Sequence, residues 1–378
     1  MDLKEEALKL HAKHRGKLAT EVTTPIKNAS DMVLAYTPGV AEVSKMIADN
    51  KELVFNYTIK SHTIAVVTDG SAVLGLGNIG PEAALPVMEG KAALFKTFAG
   101  LDAFPICLST QNSKEIISIV KSIAPSFGGI NLEDISAPRC FEIEESLQDL
   151  GIPVMHDDQH GAAIGALAGL INAAKVTGKP LSDLKVVILG AGAAGSAIAT
   201  ILVSRVADVL VLDMKGIISR NRPGLDGYKG KLANMTNKNN VTGSLQEALK
   251  GADVFIGVSA GNLLKASDIK LMAKKPIVFA LANPVPEIMP DEAKKGDAYI
   301  VATGRSDFPN QINNSLAFPG VFKGALSVRA KRITEKMKIK AAETLASLVN
   351  NPSPDRIIVS VFEKGVANAV AKAVAEAV

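Results

Sequence analysis

Apolar and polar positions along the chain fall into two alternating patterns. Short, largely apolar runs occur at 63–67, 102–108, 130–132, 152–155, 186–189, 209–212, 253–258, 277–281 and 299–302. Most are apolar throughout rather than at every second residue, the pattern of strands buried on both faces in a parallel sheet. Between them lie helix-length stretches at 113–123, 138–150, 161–176, 196–203 and 244–250. This alternation predicts an α/β protein built on doubly wound parallel sheet. After the last run the pattern becomes purely helical, over 320–329, 331–349 and 361–378. Before the first, residues 2–17 read as a charged amphipathic helix. Residues 215–243, polar and rich in glycine and asparagine, are expected to be a long loop.

The run at 186–189 empties into Gly190, Gly192 and Gly195, spaced G-x-G-x-x-G, and an apolar helix follows at once. The next run ends at Asp213, 23 residues after the first glycine. Strand, glycine turn, helix and a second strand ending in an acid together form a dinucleotide-binding fingerprint. The glycines, with Ala193 and Ala194 between them, allow the backbone to approach a pyrophosphate at the helix N-terminus. The acid accepts hydrogen bonds from ribose hydroxyls. Gly75, Gly77 and Gly80 imitate the same spacing, but Pro81 follows and no acid-terminated strand stands at the right distance. They read instead as a turn that brings backbone close to a ligand.

Two strand ends release adjacent carboxylates, Glu133 and Asp134 after 130–132, and Asp157 and Asp158 after 152–155. Carboxylates converging at one sheet edge repel each other unless a hard cation sits between them. Oxygen donors suit Mg²⁺ or Mn²⁺ rather than zinc. His156 and His160 flank these acids and are assigned supporting roles rather than ligation. Lys91 lies among Ala92, Ala93, Leu94 and Phe95, where desolvation would disfavour the ammonium and make a base near neutral pH. Tyr36, just before Thr37-Pro38-Gly39, is presented at a turn feeding a helix.

With 378 residues, two to three domains of ordinary size are expected. The composition, 47% hydrophobic and 21% charged, is that of a globular chain. A net charge of +4 without a long Lys/Arg run gives no support to nucleic-acid binding. Cys107 and Cys140 form neither a redox pair nor a zinc spacing, and the N-terminus has no signal-peptide core. The apolar stretches are too short to span a bilayer. These features point to a cytoplasmic enzyme without a membrane partner. Thr177-Gly178-Lys179-Pro180 reads as the linker into the dinucleotide-binding part.

The motifs AYTPGVA, TDGSAVLGLGNIG, NLED, HDDQHG, LGAGAAG, ALANP and ATGRSDFPNQINN occur in series over nearly the whole chain. In that order they resemble the malic enzymes in their short prokaryotic form. The resemblance implies an N-terminal malic-enzyme α/β domain over 1–160 and a Rossmann-type dinucleotide-binding domain over 161–330. A helical segment over 331–378 would pack back on them. It implies oxidative decarboxylation of malate to pyruvate and CO₂ with reduction of NAD or NADP, and a homodimer. Carried over residue by residue, Lys91 matches the general base and Tyr36 the general acid. Glu133, Asp134 and Asp158 match the metal ligands, with Asp157 beside them. Gly190, Gly192, Gly195 and Asp213 match the dinucleotide site, and Asn283 and Asn314 the substrate-contacting asparagines, Asn283 also bordering the cofactor.

Longer relatives carry an arginine where this chain has Ala72, so Lys60, Arg305 or a neighbouring subunit is left to neutralise a substrate carboxylate. Asp213 favours NAD, while Lys215 and Arg220 close by in sequence would suit a 2′-phosphate. The competing expectations are malolactic decarboxylation of malate to lactate and a non-catalytic dinucleotide sensor.

Overall fold

The computed structural model describes residues 3–225 and 227–378. The apolar runs become two sheets. Strands β1 (Thr63–Thr68), β2 (Asp102–Cys107), β3 (Gly129–Leu132) and β4 (Val154–His156) form an all-parallel sheet in the order β2-β1-β3-β4. Strands β5 (Lys185–Leu189), β6 (Asp208–Asp213), β7 (Gly216–Ile217), β8 (Val254–Gly257), β9 (Ile277–Ala280) and β10 (Ile300–Thr303) form the second, ordered β10-β9-β8-β5-β6-β7. Only β7 runs antiparallel to its neighbour. Every residue of β1, β3, β8, β9 and β10 is buried, which is why these segments lack an alternating polar face.

In each sheet the chain leaves a central strand in one direction and returns to its other side. The reversals fall between β1 and β3, and between β5 and β8. Loops diverge at such points and leave a crevice at the strands' carboxyl ends, where open α/β sheets hold ligands. All the carboxylates singled out above leave strands at those ends.

The Asp157–Thr177 helix joins the two bodies. It starts directly at the end of β4 and packs along the Ala193–Leu202 and Glu335–Ser347 helices. Its glycines face close neighbours. A methyl group on Gly169 would lie 2.7 Å from the Ile312 side chain, and one on Gly161 would lie 2.0 Å from the Asp157 carboxylate. Only glycine lets the loop carrying Ile312 and Asn314 come so near.

Beyond β10 the chain crosses back to the first sheet. Phe318 and Phe322, from the Phe318–Ser327 helix, meet Phe95 edge-on with ring centroids 4.7 and 5.5 Å apart. The Val366–Ala375 helix closes on Gly320 and Gly324 of that helix through Val370 and Val374. These contacts merge both bodies into one continuous apolar core.

The expected loop at 215–243 is instead partly regular. It contains β7 and the Gly227–Met235 helix. Both escape a pattern-based reading: β7 is two residues long, and the helix buries only Leu232 and Ala233.

Candidate active site

At the C-terminal ends of β3 and β4, Glu133, Asp134 and Asp158 bring one carboxylate oxygen each to within 4.8 Å of one another. Their approach is built into the backbone. Asp134 sits at φ +53°, in the left-handed region, and its amide donates to Asp158 Oδ2 at 2.8 Å. Burial, reinforced by Asp158 and Glu133, pushes the Asp134 carboxyl up to about 9. Burial also raises Glu133 and Asp158. Asp134 Oδ2 is buried without a hydrogen-bond partner. A crowded, all-oxygen donor set with an orphaned carboxylate oxygen fits a hard divalent cation such as Mg²⁺ or Mn²⁺. Neither histidine contributes an atom to this cluster.

Asp157 does not join the cluster. From the first turn of its helix it holds Lys91 instead, whose Nζ lies 2.6 Å from Asp157 Oδ2 and 2.8 Å from Glu133 Oε1. Lys91 comes from the Pro81–Leu94 helix, is buried, and stands 4.3 Å over the Phe318 ring. The surroundings are therefore not merely apolar. Burial lowers the Lys91 pKa, but Asp157 and Glu133 outweigh it and hold the ammonium above its ordinary value. The expectation of a desolvated, near-neutral lysine is corrected by the ion pairs formed at the edge of the first sheet. Asp157 itself is pushed up by burial, to about 8.

Beneath the cluster lies a polar network centred on Glu144, which the sequence reading missed. It accepts from the His156 amide at 2.9 Å and from Gln159 Nε2 at 2.9 Å. It also pairs with His160 at 2.9 Å, whose other ring nitrogen meets Lys338 Nζ at 3.0 Å. Burial alone would raise the Glu144 pKa, but His160 and Lys338 reverse that and hold it at about 2. The His156–His160 segment carrying Asp157 and Asp158 is thereby tied down from behind.

Across the crevice, Gly190 adopts φ +119°, and a Cβ there would lie 2.7 Å from Val258 O at the end of β8. A Cβ on Gly195 would lie 1.7 Å from Gly190 O, so the turn closes only with glycine at both positions. Gly192 caps the helix that Ala193 and Ala194 begin, and its missing side chain would point into open space. That space suits a pyrophosphate. Asp213 borders a cavity of about 720 Å³ at the end of β6. Its carboxylate accepts a two-pronged pair from Arg222 at 2.9 and 2.6 Å and a further bond from Lys229 at 2.6 Å.

The expected cations were others. Lys215 offers Asp213 only its backbone amide, and Arg220 is engaged by the carbonyls of Asn237 and Lys238. Burial would raise Asp213, but Arg222 and Lys229 hold it near 2.

The first 134 of these residues beyond position 14 match the family model described as malic enzyme, N-terminal domain, over 15–148, and residues 159–378 match malic enzyme, NAD binding domain. This chain belongs to the malic enzyme family. It is 56% identical to the bifunctional malic/malolactic enzyme of Bacillus subtilis, over 100% of this chain and 93% of that protein. It is 55% identical to an NAD-dependent malic enzyme of Geobacillus stearothermophilus, covering 96% and 76% respectively. A crystal structure of NAD-dependent malic enzyme from Thermotoga maritima superposes with a TM-score of 0.96 at 51% identity, covering 98% of this chain and 99% of that one.

Within this malic enzyme the remaining expected residues are dispersed. Asn314 lies against Gly161, close to Asp157. Asn283 follows β9, and a Cβ on Gly75 would sit 2.4 Å from its carbonyl, so the first body's glycine turn closes on the second body there. Ala72 borders the cluster, its amide donating to Asp134 O at 2.9 Å.

Lys60 cannot serve a ligand at that edge. It precedes β1 at the opposite end of the sheet and is used up on the carbonyls of Ala124 and Phe127. Arg305 pairs with Asp307 and reaches Pro284 O. Arg139, which the sequence reading passed over, lies beside Ala72, bound to Asp69 at 2.9 Å and to Ser71 Oγ. Tyr36 is 63% exposed, at the end of a helix that buries no side chain.

Proposed function

We propose that this malic enzyme oxidises malate at the crevice between the two sheets and releases CO₂ and pyruvate, with NAD as hydride acceptor. Glu133, Asp134 and Asp158 would hold Mn²⁺ or Mg²⁺. Such a cation would supply Lewis-acid polarisation of the substrate oxygen. Lys91 would first cede a proton to Asp157, whose carboxyl is pushed up to about 8. The neutral amine would then accept the malate hydroxyl proton, and a bound dinucleotide would take the hydride from C2. After the C–C bond to the departing carboxylate breaks, Tyr36 donates its phenolic proton to the methylene carbon. Asn283 and Asn314 orient the substrate carboxylates. Residues 1–160 carry substrate and metal, 161–330 the dinucleotide, and 331–378 brace both.

The observation that carries this reading is the meeting of Lys91 with the carboxylate cluster, opposite a glycine turn open at Gly192. Incubation with malate, NAD and Mn²⁺ should yield pyruvate, CO₂ and NADH in equal amounts, and EDTA should stop it. Turnover in a rigorously metal-free preparation would overturn the ligand assignment.

The name of the Bacillus subtilis relative supports a second reading, malolactic decarboxylation. Lactate accumulating without net NADH would identify it. No helix among the described residues is long and apolar enough to cross a membrane, and we place the enzyme in the cytoplasm, acting on a small molecule and not on nucleic acid. We further propose a homodimer.

A further inference from the structure

Against the Glu144 network lies a cavity of about 450 Å³, within the range that small molecules occupy. Each part of the chain contributes a wall. Phe141 comes from the Arg139–Ser146 helix of the first body, Ser196 and Ile201 from the helix after the glycine turn, and Lys338 from the Glu335–Ser347 helix. Small-ligand sites concentrate where such units meet. The Gly227–Met235 helix adds Tyr228, Leu232 and Met235. Tyr228 packs on Phe141 with ring centroids 4.8 Å apart, so one side of the cavity is aromatic.

Two polar groups in these apolar surroundings lack the partners that burial calls for. Ser196 is 8% exposed, and its Oγ is buried with no hydrogen-bond partner. A hydroxyl held that way costs stability until something answers it. Lys338 Nζ lies 3.0 Å from His160 Nδ1 and forms no ion pair with a described carboxylate. His160 meets Glu144 through its other nitrogen, so Nδ1 offers the ammonium only a neutral lone pair. Burial lowers the Lys338 pKa and the charges of Glu144 and Glu335 do not restore it, the reverse of the balance at Lys91. Lys231 and Glu335 also line the cavity, which therefore carries two ammonium groups against one carboxylate.

We propose that this cavity binds a small aromatic carboxylate, its ring against Phe141 and Tyr228 and its carboxylate on Lys338 Nζ, with Ser196 Oγ as a further donor. Occupancy is felt at the carboxylate cluster. The anion draws the Lys338 ammonium off His160, one of the groups that hold Glu144. Glu144 in turn holds the His156 amide at 2.9 Å, two residues before Asp158. Slackening that chain frees Asp158 from its place in the cluster, so the ligand opposes metal binding, and metal opposes the ligand by the same factor. This second step rests on the reading of Asp158 as a metal ligand.

The test titrates 2-naphthoate and its uncharged analogue 2-naphthamide into the full chain by calorimetry, with NADH at saturation to occupy the dinucleotide site. Naphthoate should bind one to one with a Kd of about 1 mM or tighter. The amide should bind about 10-fold or more weakly, the worth of a charge-assisted hydrogen bond. Thr200 lines the cavity from an exposed position, so Thr200→Trp fills it and should abolish naphthoate binding while NADH affinity is unchanged. Lys338→Met should reduce the affinity for naphthoate to that for the amide. No naphthoate binding at about 10 mM, equal binding of acid and amide, or undiminished binding to Thr200→Trp would each overturn the site. Mn²⁺ titrations with and without saturating naphthoate then read the coupling, and the affinity should fall about 5-fold or more. An unchanged Mn²⁺ affinity would overturn the coupling alone. Failure of Mn²⁺ to bind the naphthoate-free enzyme would overturn the metal reading and the coupling with it, while the naphthoate results decide the site on their own.

Discussion

Replacing Asp213 by alanine should shift cofactor preference strongly toward NADP. The carboxylate is the centre of a charge cluster, gripped by Arg222 at 2.9 and 2.6 Å and by Lys229 at 2.6 Å. With Asp213 present, a 2′-phosphate meets a carboxylate whose neutralising cations are already committed. At about 5 Å, each pair of like charges costs roughly 1–3 kcal/mol for an effective dielectric between water and a protein surface. Removing the carboxylate abolishes that repulsion and frees the guanidinium fork, whose bonds to a charged acceptor are worth about 1.5–3 kcal/mol.

NAD loses instead the acceptor for its ribose hydroxyls, about 1 kcal/mol for a neutral hydrogen bond. Even the low ends of these terms combine to about 3.5 kcal/mol, which corresponds to roughly a 300-fold shift in the ratio of kcat/KM for the two cofactors. Steady-state malate oxidation with NAD and NADP, in wild type and Asp213→Ala, measures it directly. A wild type that already prefers NADP would refute the assignment of NAD. An unchanged ratio in the variant would refute the role given to Asp213. A shift lost again in Asp213→Ala with Arg222→Ala would assign the gain to the arginine.

Three further outcomes are expected. Asp158→Asn should weaken Mn²⁺ binding by calorimetry while leaving NADH binding in place, because the two sites lie on opposite sides of the crevice; equal Mn²⁺ affinity would sink the ligand set. Lys91→Ala should lose about 10²- to 10⁴-fold in malate oxidation, the range of general-base catalysis, and near-normal turnover would remove Lys91 from that role. Glu144→Gln should destabilise the fold near neutral pH. A carboxyl held at about 2 rather than its ordinary 4.5 contributes stability that is present above 4.5 and lost as pH falls from there toward 2. That difference amounts to about 3 kcal/mol, so chemical denaturation of wild type and variant should differ most at neutral pH and converge as pH drops through this window.

What the sequence revealed follows physical lines. Nine of the ten strands among the described residues were legible because parallel strands buried on both faces must be apolar from end to end, as at Ile64–Val67 and Ile277–Ala280. The two-residue strand at Gly216 and the polar helix after Gly227 carry no such signature. The carboxylates were found because acids directly after apolar strands are placed at a sheet's ligand edge. The state of Lys91 was misread because Asp157, 66 residues away, holds it, and no local window contains that pairing. The same holds for Arg222 and Lys229 on Asp213 and for the grip of Glu144 on the His156 amide. Local chemistry announces which residues are available; the partners that tune them come from tertiary contact.

The Asp157–Thr177 helix has one more consequence. It lies along the dinucleotide-binding body, yet its first residue leaves the first sheet directly and grips Lys91 there. The same rigid element thus touches the packing of one body and the ammonium of the other. A change in how the helix seats against the Ala193–Leu202 helix would be carried along its axis to Asp157 and so to the position of Lys91. Alterations far from the carboxylates, on the buried face of this helix, would therefore be felt at the site as a displaced lysine.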